Sequence, residues 1–191
     1  ESGAGAARLY FDPETTYEET WTKEQEIAYI GRDITPRYIA PGLEEPDGTG
    51  KHTVIRNNDG SLAFDRCGVS YGSPAEGYDP LQKRFSVSVS RIGYEREYFV
   101  DWPEGNSEVR IGDTAVRFGH TKMGYGGTYE NPEGYQDWYI AEFTLNGVGY
   151  QVLSENLNET EFLSMTLSLF DEEDARAVAT GPAELDGAAC A

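Results

Sequence analysis

Gly68-Val69-Ser70-Tyr71-Gly72 has the G-x-S-x-G spacing of a nucleophile elbow. In that motif a strand delivers the serine to a strained turn and a helix follows at once, so the hydroxyl stands exposed beside its base. His120 lies downstream and could serve as the base, and Asp101 or Asp113 falls between them in a chain order that a serine hydrolase permits. The residues after the motif, Ser-Pro-Ala-Glu-Gly-Tyr-Asp-Pro, are interrupted by prolines and a glycine and cannot supply the helix. The motif reads better as a glycine-rich strand exit. Hydrolysis by Ser70 and His120 is retained as an alternative.

A second candidate is Asp47-Gly48-Thr49-Gly50-Lys51-His52, which echoes the end of a phosphate-binding loop. Glu45 stands where the first glycine of that loop belongs, and His52 where a hydroxyl would hold magnesium. The Thr-Val-Ile that follows favours a strand over the helix whose N-terminus would receive phosphate. Metal chemistry has little to work with, because Cys67, Cys190, His52 and His120 are scattered and no closely spaced ligand pair occurs. No catalytic residues, metal or cofactor are expected, and the chain is read as a protein that is not an enzyme.

Recognition has better material. His120, Lys122 and Tyr125 sit in Arg-Phe-Gly-His-Thr-Lys-Met-Gly-Tyr-Gly-Gly, with Tyr129 just beyond. Polar and aromatic side chains on a glycine-rich loop are a common contact surface, although the same residues would also suit a strand end running into a turn. Trp138 and its neighbour Tyr139 point to opposite faces of any strand, so one can join the core while the other is free to contact a ligand. The candidate binding surface is therefore His120, Lys122, Tyr125, Tyr129 and Trp138, with loops at 68–80 and 119–135 presenting it.

Charge narrows the partners. The net charge is −19, from 34 acidic and 15 basic residues. Such a surface repels phosphate backbones and anionic headgroups, so nucleic acid is not expected. No run of apolar residues is long enough to span a bilayer, and no signal peptide is read at the start.

Elements that would position these residues can be read from periodicity. Thr22 and Gln25 have capping-box spacing, and a short helix is expected over about 23–32 with Ile27, Ile30 and Ile34 on one side. Pro36 and Pro41 then enforce an extended path. Two strands flank Asp59-Gly60. Arg-Phe-Ser-Val-Ser-Val-Ser alternates Phe85, Val87 and Val89 against serines, as a half-buried antiparallel strand does. A hairpin around Gly112-Asp113 should place Val109 opposite Val116 and Glu108 opposite Arg117. Asn146-Gly147 is the strongest turn signal. It predicts an apolar face of Ala141, Phe143, Leu145, Val148, Tyr150 and Val152, with Glu142, Thr144 and Gln151 on the other face. Asn158 and Glu161 then cap a covering helix that carries Phe162 and Leu169.

The expected architecture is α+β, an antiparallel sheet of about six to eight strands with a helix near each end packed on it. Residues 1–20 read as an N-terminal linker or extended segment, 21–170 as one domain, and 171–191 as an acidic, small-residue tail.

The segment Tyr139–Phe170 resembles the end of an extracytoplasmic domain of unknown function found in clostridial anti-sigma-factor-like membrane proteins and lipoproteins. Ala115–Gly127 is similar to the strand and loop before it, and Ile34–Leu43 to that group's P-x-Y-x-P-x-G segment. The resemblance covers about half of the chain. It implies a non-catalytic sensor or binding module of a Gram-positive cell-envelope protein, located outside the membrane and anchored to it in the full-length protein. The ligand would be a small molecule, a cell-wall component or a protein. A carbohydrate- or peptide-binding lipoprotein module is the alternative. In that setting the even cysteine count also makes a Cys67–Cys190 disulfide a candidate.

Overall fold

A computed structural model describes residues 11–45, 53–75, 77, 79–98, 107–128 and 130–180. Its centre is an antiparallel sheet of eight strands among the described residues: β1 (Thr16–Thr20), β2 (Thr53–Asn57), β3 (Leu62–Gly72), β4 (Arg84–Ser90), β5 (Ser107–Ile111), β6 (Thr114–Tyr125), β7 (Gly134–Leu145) and β8 (Val148–Glu155). Across the sheet the order is β1-β2-β3-β4-β8-β7-β6-β5. Helix α1 (Lys23–Ile30) follows β1, and α2 (Glu159–Leu167) and α3 (Glu172–Thr180) follow β8. The fold is thus mostly sheet, with helices subordinate to it, rather than an even α+β mixture with one helix at each end.

Local signals explain most of these elements. Asn146 (φ 53°) and Gly147 (φ 75°) adopt the left-handed conformation that a tight two-residue turn needs. They set Leu145 opposite Val148, Phe143 opposite Tyr150 and Ala141 opposite Val152. The β5–β6 hairpin likewise pairs Val109 with Val116 and Glu108 with Arg117. Both helix starts carry complete capping boxes, Thr22 with Gln25 and Asn158 with Glu161. Gly31, at φ 90°, ends α1 at Ile30, so Ile34 reaches the core from the extended segment beyond the helix.

The helices cover one face. Phe85, Val87 and Val89 of β4, Phe143 of β7 and Val152 of β8 are buried there beneath Ile30, Phe162, Met165, Leu169 and Phe170. The Phe143 and Phe170 rings lie 4.8 Å apart, and Phe85 and Phe162 6.3 Å. Removing side chains of this size from water contributes about 1.5–3 kcal/mol each.

The opposite face differs from the half-buried surface that the serine alternation suggests. Ser88 and Ser90 of β4 are buried, at 5% and 1% exposure. Residues 91–98 leave β4 and cross this face. Their backbone N–H groups at Glu97 and Tyr98 donate to Gln151 Oε1, at 2.8 and 3.0 Å. Beneath the strap lies a second small core of Trp138, Ile140 and Leu153, with Tyr98 and Met123 packed against it. Alternation in β4 reports two chemically different faces, both covered.

Both segments expected as contact loops begin as strand, since Gly68–Gly72 completes β3 and Gly119–Tyr125 continues β6, while the described residues of 73–80 and 126–133 lie outside the strands. Cys67 is a buried free thiol within the main core, and Cys190 lies outside the described residues. The phosphate-loop echo at 47–52 and Asp101 lie outside them as well.

Candidate functional site

The turn-proximal end of the β6–β7 ladder is where chemistry-bearing side chains gather in the open. Register pairs His120 with Tyr139, Lys122 with Asp137 and Gly124 with Tyr135. Because facing residues share a face, all of these lie on the helix-covered side of the sheet. They extend past the cover that α2 gives. Tyr135 is 60% exposed, and His120 and Lys122 are exposed too.

His120 is held twice. Its Nε2 lies 2.9 Å from Asp137 Oδ1, and its ring stacks on Tyr139 at 4.3 Å with an interplanar angle of 13°. In that contact a carboxylate oxygen accepts and the ring nitrogen donates, which fixes the orientation of the imidazole. Tyr139 also stacks on Phe162 of α2 at 5.5 Å. The imidazole is thereby tied to the main core through two rings. Burial pushes the Tyr139 hydroxyl up, and the charges of Glu159 and Asp137 add to that, so the phenol remains a neutral donor.

Beyond Tyr125 the chain turns through Gly126 (φ 62°) and Gly127 (φ 61°). A side chain at Gly127 would meet the Asn131 carbonyl at 2.4 Å, so this tight turn requires glycine. Thr128 and Asn131 exchange backbone hydrogen bonds at 3.1 Å each, and Glu133 N–H donates to Tyr125 O at 2.9 Å. The turn therefore closes the ladder with a fixed geometry next to Tyr135.

The residues singled out from the sequence divide. His120 and Lys122 come together on the open face. Tyr125 is on the other side of β6, its ring lying over Gly134, where a Cβ would approach the hydroxyl to 2.4 Å. Trp138 is not a surface residue: it is 9% exposed, in T-shaped contact with Tyr98 at 5.6 Å, and its Nε1–H donates to Gln136 Oε1 at 3.3 Å. The strap covers it. Tyr129 lies outside the described residues. Asp137, Tyr135 and Tyr139 complete the site; the sequence offers Tyr139 only as the alternative to Trp138, and reading 119–135 as a loop leaves the cross-strand partners of all three undefined.

Ser70 and His120 are not brought together. Ser70 sits inside β3 opposite Ser86, in a continuous strand with no elbow. Its row runs through Leu153 and Ile140 to Gly119, whereas His120 belongs to the adjacent row and the other face. With β4, β8 and β7 between their strands, the separation is about 19 Å at the usual strand spacing. No group of three or more potential metal ligands occurs among the described residues. No helix among them is long and apolar enough to cross a membrane.

Comparison with family models, with curated proteins and with solved structures gives no match to this chain.

Proposed function

We propose that this chain is a non-catalytic recognition module working outside the membrane, in a Gram-positive cell-envelope protein such as an anti-sigma-factor-like regulator. The setting comes from the resemblance of Tyr139–Phe170 and the segments before it. The contact surface is the open face of His120, Lys122, Tyr135, Asp137 and Tyr139. The observation that carries this reading is the fixed His120–Tyr139 stack beside an aromatic ring left 60% exposed, Tyr135. A rigid aromatic surface costs little conformational entropy on binding.

A carbohydrate ligand is favoured by the same rings. Tyr135 and Tyr139 lie on one face four residues apart, about 13 Å along the strand, flanked by Asp137 and Lys122. An apolar sugar face packs on the exposed Tyr135 ring; Tyr139, already stacked by His120 and Phe162, offers its edge and hydroxyl, while the carboxylate and ammonium groups bond sugar hydroxyls. The test is a titration of isotope-labelled protein with N-acetylglucosamine oligomers and, separately, with cell-wall stem peptides. Amide shifts confined to 120–122 and 135–139 on saturation with the oligomer are expected. Saturable shifts centred elsewhere, or turnover of either compound, would contradict the reading.

A further inference from the structure

At the far end of β7, some 35 Å from Tyr135 by strand rise, an open cleft of about 580 Å³ lies between the segment after α1, the β7–β8 turn and the end of α2. Its lining includes Arg32, Arg37, Asn146, Ser168 and Asp171. In a chain of net charge −19, a lining that matches two guanidinium groups, Arg32 and Arg37, to two carboxylates, Asp33 and Asp171, is locally far less acidic than the whole.

These groups are fixed. Arg32 donates to the carbonyl of Leu169, and Arg37 to the next carbonyl, that of Phe170. Phe170 is anchored in turn, its ring 4.8 Å from Phe143, which stacks on Tyr150 at 4.7 Å. Each of these bonds, made to the turn beyond α2, uses one of the five N–H donors on its guanidinium. Arg32 has a distant carboxylate neighbour, Asp171 at 3.9 Å, and no described carboxylate lies within ion-pair range of Arg37. Asp33, also on the lining, is engaged by Lys23 at 2.9 Å and by the Thr35 N–H at 2.9 Å. Behind the cleft, the Tyr150 hydroxyl is buried without a hydrogen-bond partner among the described residues. Burial pushes it up, and the charges of Arg32 and of Arg91, which lies outside the cleft lining, partly offset this.

We propose that the cleft binds a small organic acid through its carboxylate, held by Arg32 and Arg37. Two fixed guanidinium groups offer paired N–H donors that match the two oxygens of a carboxylate. Asp33 and Asp171, both on the lining, disfavour a doubly charged phosphate more than a singly charged carboxylate. The site is independent of the β6–β7 face.

The experiment is calorimetric titration of the full chain with lactate, a singly charged carboxylate, and with inorganic phosphate near pH 8 at one fixed ionic strength, alongside side-chain Nε shifts of the arginines. Lactate is expected to saturate the protein and to shift Arg32 and Arg37. Arg37→Ala should weaken it by about tenfold or more, and Arg37→Lys by less. Arg110→Ala, on the β5–β6 hairpin, should leave it unchanged. The shift measurement on the unsubstituted chain stands even if a variant misfolds. Absence of saturation, shifts away from Arg32 and Arg37, affinity unchanged in Arg37→Ala, or phosphate binding as tightly as lactate would each overturn the proposal.

Discussion

Gln151 grips Tyr98 from both sides of its residue: Oε1 accepts from the Tyr98 N–H at 3.0 Å, and Nε2 donates to the Tyr98 carbonyl at 2.8 Å. A side chain here does what a neighbouring strand would do. It fastens residues 91–98 over the second core, with Glu142 Oε1 taking a further bond from Nε2 at 3.0 Å. Gln151→Ala would leave the Glu97 and Tyr98 N–H groups without an acceptor in a dry place. A loss of about 2–3 kcal/mol is expected in denaturant unfolding, with amide exchange rising first at 94–98.

Phe143→Ala should cost about 3–5 kcal/mol, because Phe143 fills the space between Tyr150 and Phe170. Glu142, its neighbour on the other face, is not the neutral surface position that alternation implies. It bonds Arg96 at 2.9 Å beneath the strap. Glu142→Ala is expected to cost about 1 kcal/mol, measurably above a free surface site and well below Phe143→Ala. Equal losses in a denaturant series would contradict the assignment of faces.

Those two neighbours show what the sequence conveyed and what it did not. Alternation along β7 and the Asn146-Gly147 turn were enough to place every pair from Leu145–Val148 to Ala141–Val152. Both helix starts were legible because a capping box is a local device. The strap was not legible. Nothing in Ile92-Gly93-Tyr94-Glu95-Arg96 has a period, and its docking depends on Gln151, more than fifty residues away. Burial of Trp138 follows from the strap, so the ring of this pair that lies beside His120 on the open face is Tyr139 and not Trp138. His120 and Lys122 were visible as residue types, whereas Asp137 and Tyr135 emerged once the ladder fixed their partners.

Glu26 should make stability depend on pH. It is 1% exposed, and burial raises its carboxyl from 4.5 to about 7, with Asp33 adding to the shift and Lys23 opposing it. The folded state thus binds this proton more tightly than the unfolded state. The associated stability is fully present below pH 4.5 and is lost as pH rises through about 7. Glu26→Gln should match the parent chain near pH 4 and exceed it by up to about 3 kcal/mol at pH 8. A constant difference across that range would count against the buried carboxyl.

Cys67 should be silent toward thiol reagents in the native chain. It is fully buried, and burial, with the charges of Glu26 and Asp65, pushes the thiol up to about 12. Titration of unfolded, unreduced protein should find both cysteines of the sequence, Cys67 and Cys190, as thiols. Finding neither would establish the disulfide between them.

The central claim is that the open β6–β7 face recognises a ligand without transforming it. The most direct measurement is the affinity of the chain for soluble N-acetylglucosamine oligomers, in the parent protein and in Tyr135→Ala and His120→Ala, with product analysis of the same samples. Removing a stacking ring should weaken binding by about tenfold, His120→Ala should weaken it comparably by loosening Tyr139, and the oligomer should be recovered intact. Affinity unchanged in both variants, or cleavage that His120→Ala abolishes, would contradict it.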